Sequence, residues 1–138
     1  MNNNINNLLI IRDGSGTFWM PPSTGSLYQW NALNGYLLYM TQPDTLIIRG
    51  NYVTAGTSIS FPSQGWYVIS YLPQTPMQAS TALASLNNNF VIVKNGSGEI
   101  YFPLLDINTL ENSTGLMVPG KGYLIYVTQQ CTLVYPGN

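Results

Sequence analysis

The side chains able to do acid–base, nucleophilic or metal chemistry are few in this chain. Its 138 residues include no histidine, so neither a Ser-His-Asp triad nor a Cys-His pair can be built. Cys131 is the single cysteine, which excludes an internal disulfide and any metal site of thiolates and imidazoles. Nothing basic adjoins it to lower its pKa, so a half-buried structural thiol is expected. Asp106 and Glu111 share one loop. Two carboxylates roughly 5 to 10 Å apart would suit glycoside hydrolysis, but here they are expected to be contacts for a glycan or a partner. Asp13-Gly14-Ser15-Gly16 and Asp106-Ile107-Asn108 each offer one carboxylate, against the several of a calcium loop. Gly14-Ser15-Gly16 and Gly96-Ser97-Gly98 lack the further glycines and the following helix of a phosphate-binding loop. No catalytic, cofactor-binding or metal-binding residue is assigned, and no enzyme activity is expected.

Aromatic residues are the one group rich enough to bind something. There are ten Tyr and three Trp, and such rings give rigid amphipathic platforms for the apolar faces of sugars. Most recur between two halves of the chain, as core positions should. Tyr28 and Trp30 lie in a loop with no aromatic counterpart, which makes them the expected glycan or partner contacts.

Those residues sit on a chain that states one pattern twice. The run Asn6-Asn7-Leu8-Leu9-Ile10-Ile11-Arg12-Asp13-Gly14-Ser15-Gly16 returns as Asn88-Asn89-Phe90-Val91-Ile92-Val93-Lys94-Asn95-Gly96-Ser97-Gly98, an offset of 82. Gly35-Tyr36-Leu37-Leu38-Tyr39-Met40-Thr41-Gln42 returns as Gly122-Tyr123-Leu124-Ile125-Tyr126-Val127-Thr128-Gln129, an offset of 87 that persists from Gly50-Asn51 to Gly137-Asn138. What recurs is apolar alternation, turn glycines and one basic residue, Arg12 or Lys94, read as a solvent-facing strand end. Such a repeat reports architecture.

Only nine residues are charged, four basic and five acidic. That leaves no electrostatic footprint for nucleic acid or anionic lipid. The richness in Tyr, Trp and β-branched residues excludes disorder. A surface covered by Asn, Ser, Thr and Gln suits a β protein outside a cytoplasm or packed in an assembly. No run is long enough to span a bilayer as a helix. Met1 to Asn7 has no positively charged start, so export by a signal peptide is not expected, unless the chain was cut from a longer protein.

The alternation predicts an all-β fold: two pseudo-repeats of about four strands in a small sandwich or partly closed barrel, with one short helix between them. One domain over 1–138 is expected, with pseudo-repeat 1 at 6–51, bridging strands and helix at 52–87, and pseudo-repeat 2 at 88–138. In each copy an Asp-Gly or Asn-Gly turn joins a first hairpin, with Gly14, Gly16, Gly96 and Gly98 as turn residues and Pro21 or Pro103 ending the return strand. Gly35 and Gly122 precede Tyr36–Met40 and Tyr123–Val127, which are expected to pair with Thr45–Ile48 and Thr132–Tyr135 as second hairpins. Ser58–Phe61 and Trp66–Tyr71 read as strands seen once. Thr75 as N-cap, Pro76 at N1 and Gln78 at N3 start the helix. Ala79, Ala82, Leu83 and Leu86 form its apolar stripe, and Asn87–Asn89 stop it. The first copy lacks this leading strand and helix. Either both copies share one core around the single helix, which is the expectation, or another subunit covers the gap.

Gly65-Trp66-Tyr67-Val68-Ile69-Ser70-Tyr71, Ala82-Leu83-Ala84-Ser85-Leu86, Val91-Ile92-Val93-Lys94-Asn95-Gly96-Ser97-Gly98 and Pro119-Gly120-Lys121-Gly122-Tyr123 together define a pattern. It resembles a roughly seventy-residue β-repeat of Bacteroidetes and marine bacterial surface proteins and of some phage virion proteins. Residues Gly65 to Gly137 carry it well, and Leu8 to Gly50 carry a partial copy in which Leu33-Asn34-Gly35-Tyr36 departs from it. The resemblance implies a structural or adhesive module and transfers no active site.

The expected function is therefore a non-enzymatic structural or attachment protein of a larger assembly, a phage virion component such as a head or tail decoration or a fibre-associated protein. The alternative is a glycan-binding module of a bacterial cell-surface or secreted protein. Expected partners are subunits of the same assembly, as a homo-oligomer, or a surface glycan, with no nucleic acid and no membrane insertion. No cofactor is expected.

Overall fold

A computed structural model describes residues 6–137; residues 1–5 and the Asn51–Asn138 match lie outside the described residues. The strands of the first copy are β1 (Leu8–Arg12), β2 (Phe18–Met20), β3 (Thr24–Gly25) and β4 (Leu37–Met40). The bridging segment supplies β5 (Ile59–Phe61), β6 (Gly65–Ser70), β7 (Met77–Gln78) and the helix α1 (Ala79–Ala82). The second copy holds β8 (Phe90–Lys94), β9 (Ile100–Phe102), β10 (Ile107–Asn108), the helical turn α2 (Leu110–Ser113), β11 (Leu116–Met117), β12 (Gly122–Val127) and β13 (Cys131–Leu133). The chain is all-β and sandwich-like, and none of its sheets closes into a barrel. The sheet orders are β3-β2-β1-β4 and β10-β9-β8-β12-β6, with the separate pairs β11-β7 and β13-β5.

The repeat persists to the level of single hydrogen bonds. Ile11 faces Trp19 on β2 and Leu38 on β4, and Val93 faces Tyr101 on β9 and Ile125 on β12. Both copies also break register at the same place. Leu8 and Ile10 oppose Met40 and Tyr39, while Phe90 and Ile92 oppose Val127 and Tyr126. One extra residue, Leu9 or Val91, bulges each first strand and sharpens its twist. The first turns match as well. The Asp13 carboxylate accepts the N–H groups of Ser15 and Thr17, and the Asn95 amide oxygen accepts those of Ser97 and Glu99. The positive φ these turns require falls on their second glycines, Gly16 at 91° and Gly98 at 82°, where a side chain would be strained. Even the dissimilar loops are tied alike. The Tyr36 hydroxyl accepts the Asn31 N–H at 2.7 Å, and the Tyr123 hydroxyl accepts the Val118 N–H at 2.8 Å.

Where the two copies differ, the once-present segment is the reason. β13 forms, but it pairs with β5 and not with β12, so the expected second hairpin of that copy is absent. Among the described residues the first copy has no equivalent of β5, and Thr45–Ile48 forms no strand. The helix starts at Ala79 and not after Thr75. Met77 and Gln78 pair with Met117 and Leu116 instead, and the Gln78 amide donates to the Thr114 carbonyl rather than capping. α1 is one turn, continued by a 3-10 turn at Ala84–Leu86, and Asn87 ends it at φ 53°.

The apolar stripe Ala79, Ala82, Leu83 and Leu86 is buried as its spacing requires, against Val93, Tyr123, Ile125, Val127, Phe61, Leu133 and Tyr135. Each large side chain there contributes roughly 1.5–3 kcal/mol of burial. The expected shared core does not form around this helix. Leu8, Ile11, Trp19 and Leu27 make a second, small cluster with Trp30, Tyr36 and Met40. Among the described residues the first copy has no helix of its own to enlarge it.

Candidate interaction surface

Alternation along β12 sends Tyr123, Ile125 and Val127 inward and Leu124 and Tyr126 outward. The registers then set Tyr126 between Trp66 and Ile92, and Leu124 between Val68 and Lys94. The Trp66 and Tyr126 rings meet edge to face at 5.2 Å. The Lys94 ammonium lies 5.4 Å from the Trp66 ring centroid, a cation–π contact worth about 0.5–1 kcal/mol where solvent reaches it. Lys94 is thus held at a ring, not left as a free strand end, whereas Arg12 is exposed. The Gln64 amide donates to the Tyr126 hydroxyl at 2.7 Å and fixes the outer ring. Trp66 remains 47% exposed. The first copy presents the same types at the same positions, Tyr39, Leu37, Ile10 and Arg12, without counterparts of Trp66 and Gln64. Leu37, Val68, Lys94 and Leu124 line one groove of about 550 Å³ between the copies. This surface offers ring faces, aliphatic edges and cations, and can stack on a sugar ring or a flat partner.

The copies meet through glycine. The Gly35 N–H donates to the Val68 carbonyl at 3.1 Å and the Ser70 N–H to the Leu33 carbonyl at 3.3 Å, so the short run before β4 partly pairs with β6. A Cβ on Gly14 would lie 2.8 Å from the Val68 nitrogen, so the first turn also packs against β6. Gly96 has open space at that position.

The expected contact residues are dispersed. Tyr28 is 76% exposed. Trp30 instead packs edge to face on Tyr36 at 4.7 Å, within the small cluster. It lines a groove of about 560 Å³ with Leu38, Leu46 and Ile48. Glu111 pairs with Lys121 at 2.6 Å, and no hydrogen bond among the described residues joins it to Asp106. Both acids lie in left-handed backbone, Asp106 at φ 55° and Glu111 at 47°, with Asn112 and Ser113 following at 56° and 65°. Such residues cost roughly 1–2 kcal/mol each. Full burial of Leu110 and an N–H bond from Asn112 to the Glu99 carboxylate at 2.7 Å hold them. The Asn95 amide donates to Glu99 as well. That bond first, then the Asn112 N–H and the nearby Lys121, keeps the Glu99 carboxyl below its usual range. Among the described residues, no three His, Cys, Asp or Glu side chains converge as metal ligands, and no helix is long and apolar enough to cross a membrane.

Sequence reasoning passed over Trp66, Tyr126 and Lys94. Period-two phasing places all three on the outer face of their strands, but Trp66 meets Tyr126, and Lys94 meets Leu124, only once β6, β8 and β12 are aligned side by side. Comparison with protein-family models, curated proteins and solved structures finds no match to this chain.

Proposed function

We propose that the chain is a non-enzymatic structural or attachment subunit of a larger assembly, a virion component such as a phage head or tail decoration or fibre-associated protein. The observation that carries this reading is the uncovered first copy. Ile125 and Tyr135 are 0% and 1% exposed, while their equivalents Leu38 and Ile48 are 40% and 56% exposed. Exposed contiguous apolar surface of this kind marks protein contact sites, and among the described residues β4 ends its sheet with an unpaired edge. The low charge and the resemblance to surface and virion β-repeats support the same setting. Mass spectrometry of particles purified from the native source tests it: the polypeptide is expected in stoichiometric amount, and its absence would sink the virion reading.

A second reading is a glycan-binding module of a cell-surface or secreted protein. The exposed Trp66 ring beside Tyr126 and Lys94 favours it, since that combination stacks on sugars and attracts acidic ones.

A further inference from the structure

We propose that the free edge of β4 pairs antiparallel with β4 of a second copy of this chain, across a two-fold axis at Leu38, joining the two four-stranded sheets into one. This rests on the reading of the chain as an assembly subunit and names the surface through which it associates. The second pseudo-repeat shows what the first one needs. β12, the equivalent of β4, is paired on both sides, by β8 and by antiparallel β6. Among the described residues, β4 has β1 on one side and no strand on the other. Natural edge strands are blunted by lysine, proline or an inward charge. Leu37-Leu38-Tyr39-Met40 carries none of these. The bulge in its sheet falls on the neighbouring strand, at Leu9 of β1, and leaves β4 itself regular.

β4 can do for a second β4 what β6 does for β12. β6 brings apolar residues to both faces of the edge, and so does β4. Directly opposed residues share a face of the sheet, so Leu38, which faces inward, must meet an inward residue. Centring the axis on Leu38 sets Leu38 opposite Leu38, Leu37 opposite Tyr39 and Met40 opposite Tyr36. Centring it on Tyr39 would set Leu37 opposite Thr41. The first arrangement pairs apolar with apolar throughout and leaves no charge in the seam. A two-fold contact of this kind uses one surface twice and closes, so it yields a dimer and not a filament. The strand is short, so the pairing buries less than a standard interface of about 1,200 Å², and the association is concentration dependent.

The test uses the full chain. Sedimentation across a concentration series is expected to show a monomer–dimer equilibrium. Tyr39→Lys, at a side chain already 67% exposed, is expected to weaken it about tenfold or more while the circular dichroism spectrum is unchanged, because the ring that would pack on the opposed Leu37 gives way to a charge, the device that blunts natural edge strands. Leu38→Cys in a Cys131→Ser background is expected to oxidise to a linked dimer, since opposed residues sit about 4.5–5.5 Å apart at Cα, within disulfide reach. Leu9→Cys in the same background, more exposed but on β1, is expected to stay unlinked. A chain that remains monomeric through about 1 mM overturns the pairing. If its polypeptide is nevertheless found in purified particles, the assembly reading stands and this surface alone is refuted. A dimer indifferent to Tyr39→Lys and without the Leu38→Cys link likewise places the contact elsewhere.

Discussion

Gly35 and Gly122, the same position in the two pseudo-repeats, lie against each other: a Cβ on Gly122 would come within 3.3 Å of the Gly35 Cα. The repeat therefore explains more than a shared pattern. Its two copies meet at matched residues, each the last before an apolar strand run. The demands on the two are unequal, however. A Cβ on Gly35 would lie 2.6 Å from the Ile69 carbonyl oxygen, a backbone atom of β6 that cannot move without breaking the five-stranded sheet. The neighbour of Gly122 is only tight. Gly35→Ala is expected to cost about 1–3 kcal/mol as overpacking, and Gly122→Ala less than about 1 kcal/mol. Urea titration of both variants checks the order, and equal losses would contradict it.

The matched first turns differ at their accepting residue, a titratable Asp13 in one and an amide, Asn95, in the other. Burial would raise the Asp13 carboxyl, but hydrogen bonds from Ser15 and Thr17 outweigh it and hold Asp13 below its usual value. A depressed carboxyl contributes stability above its unfolded pKa of about 3.9, and that contribution is lost as pH falls through the folded value. Asn95 makes the same backbone bonds without a proton to gain. Below about pH 4 the Ser15 and Thr17 amide resonances are therefore expected to shift with Asp13, and Asp13→Asn should abolish that shift while keeping the turn. Asp13→Ala removes the acceptor and is expected to cost about 1 kcal/mol, as a lost capping bond does.

Three tyrosines close the larger core: Tyr71 lies 5.3 Å from Tyr135 and 6.5 Å from Tyr123, centroid to centroid. Desolvation, with the neighbouring phenols, pushes Tyr71 up to about 12 and Tyr135 higher still. A raised phenol pKa means stability is whole below the unfolded value near 10 and is lost as pH rises above it. Absorbance titration is expected to show these tyrosines silent until the chain unfolds in alkali, in one step with the loss of structure. Smooth titration with the folded signal intact would contradict this. Tyr135→Phe leaves the Ser70 carbonyl without the bond it receives at 2.8 Å, at an expected cost of about 1–3 kcal/mol.

How much of this was legible follows from which partners are local. The hairpin of β1 and β2 is a contact between neighbours in sequence, so Asp13-Gly14 and the flanking alternation suffice to place it. The burial of Ala79, Ala82, Leu83 and Leu86 follows from their spacing alone. Thr45–Ile48 and Thr132–Tyr135 have the same residue types, yet only the latter yields a strand, because β5 reaches it from some seventy residues earlier. Propensity cannot carry that difference. The start of α1 fails for the same reason: β11, far along the chain, takes the backbone groups of Met77 and Gln78. At the surface, Trp30 reads as free because its counterpart is not aromatic, but Tyr36 lies six residues on and folds back against it.

The tryptophans offer the sharpest division between the two functional readings. Trp66 stands half in solvent beside Tyr126 and Lys94, while Trp30 is wedged on Tyr36. If the chain binds glycans, an acidic polysaccharide is expected to quench tryptophan fluorescence, because sugar stacking changes the environment of an exposed indole. Trp66→Ala should abolish that response and leave stability within about 1 kcal/mol. Trp30→Ala should keep the response and lose stability by about 1–3 kcal/mol, since it removes a ring packed against the small cluster of Leu8, Ile11, Trp19 and Leu27. Lys94→Gln should weaken binding of acidic sugars more than of neutral ones, as the loss of a cation at the ring requires. A response that follows Trp30 would return the site to the loop around Tyr28, and no response across a broad glycan panel would leave the outer face as a protein contact.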